Sequence, residues 1–463
     1  MYIEQLYTNC LAEAAYYIES DGIAAIIDPL RETEPYIEKA KSRNATIKYI
    51  FETHFHADFV SGHIDLAKRT GAQIIYGPEA NTNYAVINAK EGEEFQIGKI
   101  KIKALHTPGH TLESTCYLLS DEEGKNHCIF TGDTLFVGDV GRPDLLDGVM
   151  TKEELASKMY DSLNNKIKVL EDDVIVYPAH GPGSACGKSM GKETFSTIGI
   201  QKKTNYALQE MTREAFILSV TDGLSVPPQY FFEDARINKN GYDSIDSIIK
   251  KNTTPLNIDA LEQAVQNGAL ILDTRIADHF EKGFIESSLN IGLNGMFAVW
   301  VGTLIDINTP LVLITDIGKE EETVLRLARV GYENVLGYLE GGIATWEDAG
   351  KPVETVNTIS AEEMTQYYGD AGYTILDVRK PSEFDTEHIK GAINIQLSEI
   401  ENRLGELDAD KKYIIHCAAG YRSMMAASIL KSNGIENFMN VAGGWGSIKK
   451  TSLPTEVSVG EMI

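Results

Sequence analysis

The sequence predicts an α/β protein of three domains: a sheet-rich N-terminal body, then two small doubly wound parallel sheets with helices on both faces. Three observations carry that prediction. Residues 1 to about 185 alternate short apolar runs with polar turns. Two later stretches repeat one another at a spacing of about a hundred residues. The chain has 463 residues, beyond the size at which a single hydrophobic core stops growing.

In the N-terminal part the runs are GIAAIIDP, IKYIFETH, AQIIYGP, IKIKALHTPGH, HCIFTGD and DVIVYPAHG, and histidine or aspartate sits at or next to the end of all but AQIIYGP. This sets polar side chains along one edge of a sheet, where sites usually form. A helical tail follows over roughly 191 to 220, then a Gly/Asn/Asp-rich stretch read as a linker over 236–256. The first domain is therefore placed at 1–235 and the two repeats at 257–355 and 356–463. In the repeats, NIDALEQAVQNGALILDTRIADHF from Asn257 parallels TISAEEMTQYYGDAGYTILDVRKPSEF from Thr358, and PLVLITDIGKEEE parallels KYIIHCAAGYRSM. Each unit alternates helix and strand, and the period is too long for a solenoid.

Composition narrows the function. Apolar residues make up 43% and charged residues 24%, as in ordinary folded proteins. A net charge of -26 without a Lys/Arg stripe argues against nucleic acid, and any anion site must rely on backbone amides or a buried arginine. The first residues, MYIEQLYTNC, carry acid where a secretory leader carries base, and no apolar run approaches the roughly 18 residues of a membrane span. A cytoplasmic protein without a membrane segment is expected. Five cysteines with no CxxC pair point to reduced thiols, with Cys10, Cys116 and Cys128 in strand-like, core contexts.

The run THFHADFVSGH carries His54, His56 and Asp58 behind the apolar strand KYIFE. His110 in HTPGHT, Asp133 in FTGDTLFVGD and His180 in YPAHG stand at later strand ends. Imidazoles and carboxylates gathered at one sheet edge suit a first-row divalent metal, whereas a lone histidine is more often a surface or core residue. An HxHxD run followed by separated His, Asp and His resembles the metallo-β-lactamase superfamily, whose fold is an αββα sandwich. In that superfamily's two-metal hydrolases a histidine follows the aspartate and helps to hold the second ion. Here that position is Phe59, which has no lone pair to donate, and a single metal is expected. His63 lies about 6 Å further along the following helix and is a poor substitute.

In this respect the chain resembles the persulfide dioxygenase branch of the superfamily. The resemblance implies one Fe(II) per chain, held by His54, His110 and Asp133 as a facial triad, with His56, Asp58 and His180 orienting them. It implies oxidation of a thiol persulfide by dioxygen to sulfite. The loop VGDVGRPDL resembles the same branch and makes Arg142 a candidate contact for an anionic substrate, a salt bridge to a nearby carboxylate being the alternative.

In the last repeat, KKYIIHCAAGYRSMMAASILKSNG reads as strand, tight loop and helix, with Cys417 at the strand end. Backbone N–H groups of Ala418, Ala419, Gly420, Tyr421, Arg422 and Ser423 are expected to form an anion-binding nest around its sulfur, and Arg422 to add a fixed positive charge. The ordinary alternative is a buried structural thiol. The loop, with ILDVRKPSEF and GAIN upstream, resembles a rhodanese, which makes Cys417 the sulfur-carrying nucleophile. Cysteine phosphatases have five residues between cysteine and arginine; here there are four, a tighter cradle that suits sulfur. The first repeat has Asp316 at the matching position, with acids replacing the glycine and arginine, and is expected to be catalytically dead.

Cys186, in GSACGK next to Lys188, lies in a glycine-rich loop and is a candidate sulfur relay, as in dioxygenase–rhodanese fusions with a similar segment. The combined expectation is a multidomain, homo-oligomeric enzyme of sulfide detoxification, coupling persulfide oxidation to sulfur transfer to or from thiosulfate. The alternative is a two-zinc thioester hydrolase of the glyoxalase II type with sulfurtransferase domains appended.

Overall fold

A computed structural model describes residues 1–145, 149–224 and 226–458. The chain forms two compact units: Met1–Ile248 with Leu327–Tyr332, and Ile249–Arg326 with Glu333–Ile463.

The first unit holds two six-stranded sheets. One runs in chain order through Tyr2–Thr8, Glu13–Ser20, Ile23–Ile27, Thr46–Phe51, Gln73–Tyr76 and Ile87–Asn88. The other runs in reverse order from Ser196–Thr197 through Ile175–Pro178, Asn126–Gly132, Thr115–Ser120 and Ile100–His106 to Glu94–Ile97. Alternation along each strand sends one set of side chains inward. Tyr16, Ile18, Ile27 and Phe51 of one sheet meet Ile102, Tyr117, Leu119 and Phe130 of the other in a shared core. The opposite faces are covered by helices: Tyr36, Ala40 and Leu66 pack on the first sheet, and Ala156, Met159 and Leu163 on the second. The expected αββα sandwich is the result.

The stretch 236–256 is not the linker that its Gly/Asn/Asp content suggested. It contains the end of the helix Tyr230–Asn240, the helix Ile245–Asn252 and the strand Pro255–Leu256. Gly241, at φ 90°, stops the first helix, and polar composition misled because two of the asparagines, Asn238 and Asn252, are buried in helices. Asn238 is fully buried, and its side-chain N–H donates to the carbonyls of His56 and Phe59, both at 2.8 Å.

The second unit holds two five-stranded sheets built to one plan. The first orders its strands Pro255–Leu256, Val335–Leu339, Leu311–Ile314, Leu270–Asp273, Leu289–Asn290. The second orders them Thr358–Ile359, Phe438–Val441, Lys412–His416, Tyr373–Asp377, Ile393–Asn394. Every pairing in both is parallel. The repetition extends to side chains. Arg275 clamps Asp273 and donates to Gly283 O, as Arg379 clamps Asp377 and donates to Glu387 O. Asn290 bridges the carbonyls of Asp273 and Arg275, as Asn394 bridges those of Asp377 and Arg379. Among the described residues no helix is long and apolar enough to cross a membrane.

Candidate functional site

The metal-binding candidates sit in loops at one end of the sandwich strands. His54 follows the strand Thr46–Phe51, His110 follows Ile100–His106, Asp133 follows Asn126–Gly132, and His180 follows Ile175–Pro178. One donor atom each from His54, His110 and Asp133 lie within 4.8 Å of one another, and all three residues are buried.

Hydrogen bonding fixes what these rings offer. The Thr53 hydroxyl donates to Asp28 Oδ2 at 2.9 Å, so at 3.0 Å from His54 Nδ1 it accepts, leaving the lone pair on His54 Nε2. His110 Nδ1 donates to the Arg142 carbonyl at 2.8 Å, and His180 Nδ1 to the Ala12 carbonyl at 3.3 Å. In the neutral tautomers these bonds select, all three Nε2 atoms carry lone pairs, and all three face Asp133. His54 and His110 approach Asp133 Oδ2 at 3.9 and 3.4 Å, and His180 approaches Oδ1 at 3.4 Å. None of these nitrogens, nor either Asp133 oxygen, has a hydrogen-bond partner. Burial and the neighbouring His56, His110 and His180 push the His54 pKa well below its ordinary value, so the ring is neutral. Bare lone pairs converging on a buried carboxylate are what a cation would satisfy, and the residues fit a metal. Gly141 permits the approach: a Cβ there would lie 2.2 Å from Asp133 O and 2.9 Å from His110 Nδ1.

His56 is drawn elsewhere. Its Nε2 lies 3.1 Å from Asp28 Oδ1 and 3.8 Å from Glu52 Oε2. Burial opposes charge on this ring, yet Asp28, Glu52 and Asp58 outweigh it and hold the pKa at about 9. Phe59 is fully buried, its ring 4.3 Å from that of His56. His63 does not turn toward the centre. It pairs with Tyr84 Oη at 2.7 Å and lies 3.6 Å from Glu52, and burial lowers its pKa to about 3.

His180 differs from the orienting role expected of it. Its Nε2 lies 3.4 Å from Asp58 Oδ2 as well as from Asp133, so it stands as a donor in its own right. His56, Asp58 and His180 form a second group within 4.8 Å, and Asp133, His180 and Cys186 a third. Asp28, Glu52 and Asn238 were not singled out from the sequence. Asp28 stands next to last in the run GIAAIIDP, and that strand-end aspartate was the available signal.

Cys186 is buried beside Asp133 and His180 rather than in an open loop. Lys188 does not serve it, since its ammonium donates to Ser219 O and Asp222 O. Burial, Asp58 and Asp133 hold the Cys186 thiol well above its ordinary pKa. The Arg142 guanidinium is bound bidentately to Asp144, at 2.7 and 2.8 Å, and also donates to Ala185 O. The salt-bridge alternative describes it, and its backbone carbonyl orients His110. A cavity of about 680 Å³ borders these loops; Phe55, Leu112, Phe231 and Phe232 give it an apolar lining, with Arg236 and Lys239 among its walls.

In the second unit, Cys417 closes the strand Lys412–His416 and is buried. The Gly420 N–H donates to its Sγ at 3.1 Å, and Ser423 Oγ lies 3.6 Å away. Trp445 N–H holds the Cys417 carbonyl at 2.7 Å, and Gly446 N–H the Ala418 carbonyl at 3.0 Å; Ala419 is exposed. Arg422 is not a lone charge aimed at the loop. Glu383 binds it bidentately at 2.6 and 2.9 Å, and Arg422 in turn keeps Glu383 below the usual carboxylate range. Cys116 and Cys128 are core residues, whereas Cys10 is half-exposed, with Arg329 Nη1 3.6 Å from its sulfur.

Comparison with known proteins gives these likenesses. The metallo-beta-lactamase superfamily model matches residues 8–180, and the rhodanese-like domain model matches residues 257–349 and 360–451. A probable hydroxyacylglutathione hydrolase of Schizosaccharomyces pombe is 34% identical over 198 residues, 42% of this chain and 72% of that protein. The cytoplasmic hydroxyacylglutathione hydrolase of Arabidopsis thaliana is 33% identical over 179 residues, 38% of this chain and 66% of that protein. Among solved structures, a metallo-beta-lactamase from Staphylococcus aureus subsp. aureus COL is similar over 73% of this chain and 98% of its own, at 31% identity and a TM-score of 0.64.

Proposed function

Because the chain belongs to the metallo-beta-lactamase superfamily and carries two rhodanese-like domains, we propose that it is an iron-dependent persulfide dioxygenase with thiosulfate sulfurtransferase activity. The supporting observation is the asymmetry of the metal centre. The His54 and His110 lone pairs converge on Asp133 Oδ2, while Phe59 supplies no donor and His56 is drawn to Asp28.

The net reaction is RSSH + O₂ + H₂O → RSH + SO₃²⁻ + 2H⁺. Bound Fe(II) supplies a redox-active ion with open positions for a sulfur anion and dioxygen. The protein's part is placement. Thr53 and the Arg142 carbonyl fix the His54 and His110 tautomers, and the apolar cavity receives the carrier thiol, with Lys239 at its wall available to an anionic arm. Cys186, at the centre itself, is the proposed sulfur relay.

At the second site the Cys417 thiolate attacks the outer sulfur of thiosulfate. The S–S bond breaks, sulfite leaves, and Cys–S–S⁻ remains; the reverse step delivers sulfur to sulfite. Gly420 N–H stabilises the anionic sulfur in both directions.

A second reading is a two-metal hydroxyacylglutathione-type hydrolase. It is favoured by the hydrolase relatives and by His180 Nε2 facing both Asp58 and Asp133. An oxygen electrode separates the two. Iron-loaded protein given glutathione or coenzyme A persulfide consumes oxygen and releases sulfite under the first reading. Cleavage of a glutathione thioester without oxygen uptake on persulfide supports the second.

A further inference from the structure

We propose that Tyr421 is a positioning residue for sulfur transfer, seated on the first repeat, so that the repeat lacking a sulfur-carrying cysteine forms part of the working site of the second. The proposal rests on the reading of Cys417 as sulfur carrier.

Tyr421 opens the helix Tyr421–Ser432 and follows Gly420, whose N–H meets the Cys417 sulfur at 3.1 Å. Gly420 has φ +98°, and without a Cβ its own stereochemistry does little to fix where that N–H points. The neighbouring side chain supplies the restraint. Tyr421 Oη donates to Gly292 O of the first repeat at 2.7 Å. Its ring occupies the place a side chain at 295 would take, since a Cβ on Gly295 would lie 2.7 to 3.0 Å from three ring carbons.

The seat is itself held. Arg326 Nη1, from the helix Glu320–Ala328 of the first repeat, donates to Leu293 O at 2.7 Å. Two turns along the active helix, Ser428 Oγ accepts the Asn290 N–H at 3.1 Å. The helix carrying the loop is thus tied to the first repeat at two points on one face, the nearer adjoining Gly420.

The test uses the full-length protein and two variants, Tyr421→Phe, which removes only the hydroxyl, and Gly295→Ala, which displaces the ring. Two quantities are followed by peptide mass spectrometry: the rate at which thiosulfate adds one sulfur to Cys417, and the pH profile of Cys417 alkylation by iodoacetamide. Loss of one anchoring hydrogen bond is expected to slow charging about five- to tenfold. It should also move the acid limb of the alkylation profile to higher pH. The charged and titratable groups around Cys417 are Arg422 with Glu383, the Asp377–Arg379 pair and His416, and both variants leave them in place. A structural role alone would lower the unfolding midpoint without moving the profile. Wild-type charging rates and an unmoved profile in both variants overturn the proposal. If the wild type takes no sulfur from thiosulfate, the sulfurtransferase reading fails instead, and the alkylation profile still decides whether Tyr421 places the Gly420 N–H.

Discussion

In the first rhodanese-like repeat the strand Leu311–Ile314 is followed by Thr315, where the second, after Lys412–His416, places Cys417; the strand registers put Asp316 one residue beyond the matching position expected of it. Around these loops the framework is the same: parallel strand order, the Asp–Arg clamp and the bridging asparagine recur. The loops themselves diverge. Gly420 N–H faces a sulfur at 3.1 Å, whereas Gly318 N–H is taken at 3.1 Å by the carboxylate of Glu320, which opens the following helix, and Asp316 pairs with His279 at 3.3 Å. The buried ion pairs hold the fold and the loop amides hold the chemistry. One can change without the other.

The sharpest break of the comparison is Cys417→Ser. Sulfur exchange with thiosulfate should fall by at least about a thousandfold, since a hydroxyl does not replace the thiolate nucleophile, while sulfite release from persulfide by the other unit persists. Product analysis by chromatography checks both, and loss of both would mean the sites are not separable. Thr315→Cys is the converse. With Glu320 standing where Arg422 does and its carboxylate taking the loop amide, it should gain no sulfur detectable by mass spectrometry.

The shared framework is tested by Arg275→Ala and Arg379→Ala. Each leaves a buried aspartate unpaired, and each should destabilise the protein by about 3–5 kcal/mol in urea unfolding. Arg379 also lies over Trp445, 4.5 Å from the ring centroid, and should cost about 0.5–1 kcal/mol more. A large loss in one repeat and none in the other would deny the common scaffold.

The smallest effect concerns the first unit. Burial depresses the His63 pKa to about 3, so the unfolded chain binds the extra proton first. Its contribution to stability is complete above the ordinary pKa and is lost as pH falls through the window from about 6.5 toward 3. Between pH 6.5 and 5 this amounts to roughly 2 kcal/mol, and His63→Gln should flatten that part of the stability profile by the same amount.

Much of this was legible in the sequence because the signals were local. Strand runs with His or Asp at their ends foretold the sandwich and the edge where His54, His110, Asp133 and His180 gather, and the hundred-residue repeat foretold the paired sheets. What escaped depended on distant partners. Asn238 lay in a stretch read as linker because nothing local shows that it bonds the carbonyls of His56 and Phe59. Lys188 beside Cys186 suggested an activating cation, but adjacency in the chain does not fix direction, and the lysine bonds two helix-end carbonyls instead. Arg422 looked like a fixed charge until Glu383, 39 residues earlier, was found bound to it.

Under the proposed function the metal centre repeats the lesson of the two loops, with Phe59 a substitution on a retained frame. Phe59 and the captured His56 argue for a single redox-capable ion, and His180 facing Asp58 is the feature that opposes it. Metal analysis of anaerobically purified full-length protein, read beside its oxygen uptake on a thiol persulfide, tests this directly. The account predicts one iron per chain and oxygen consumption. Two zinc ions per chain with no oxygen consumed would contradict it.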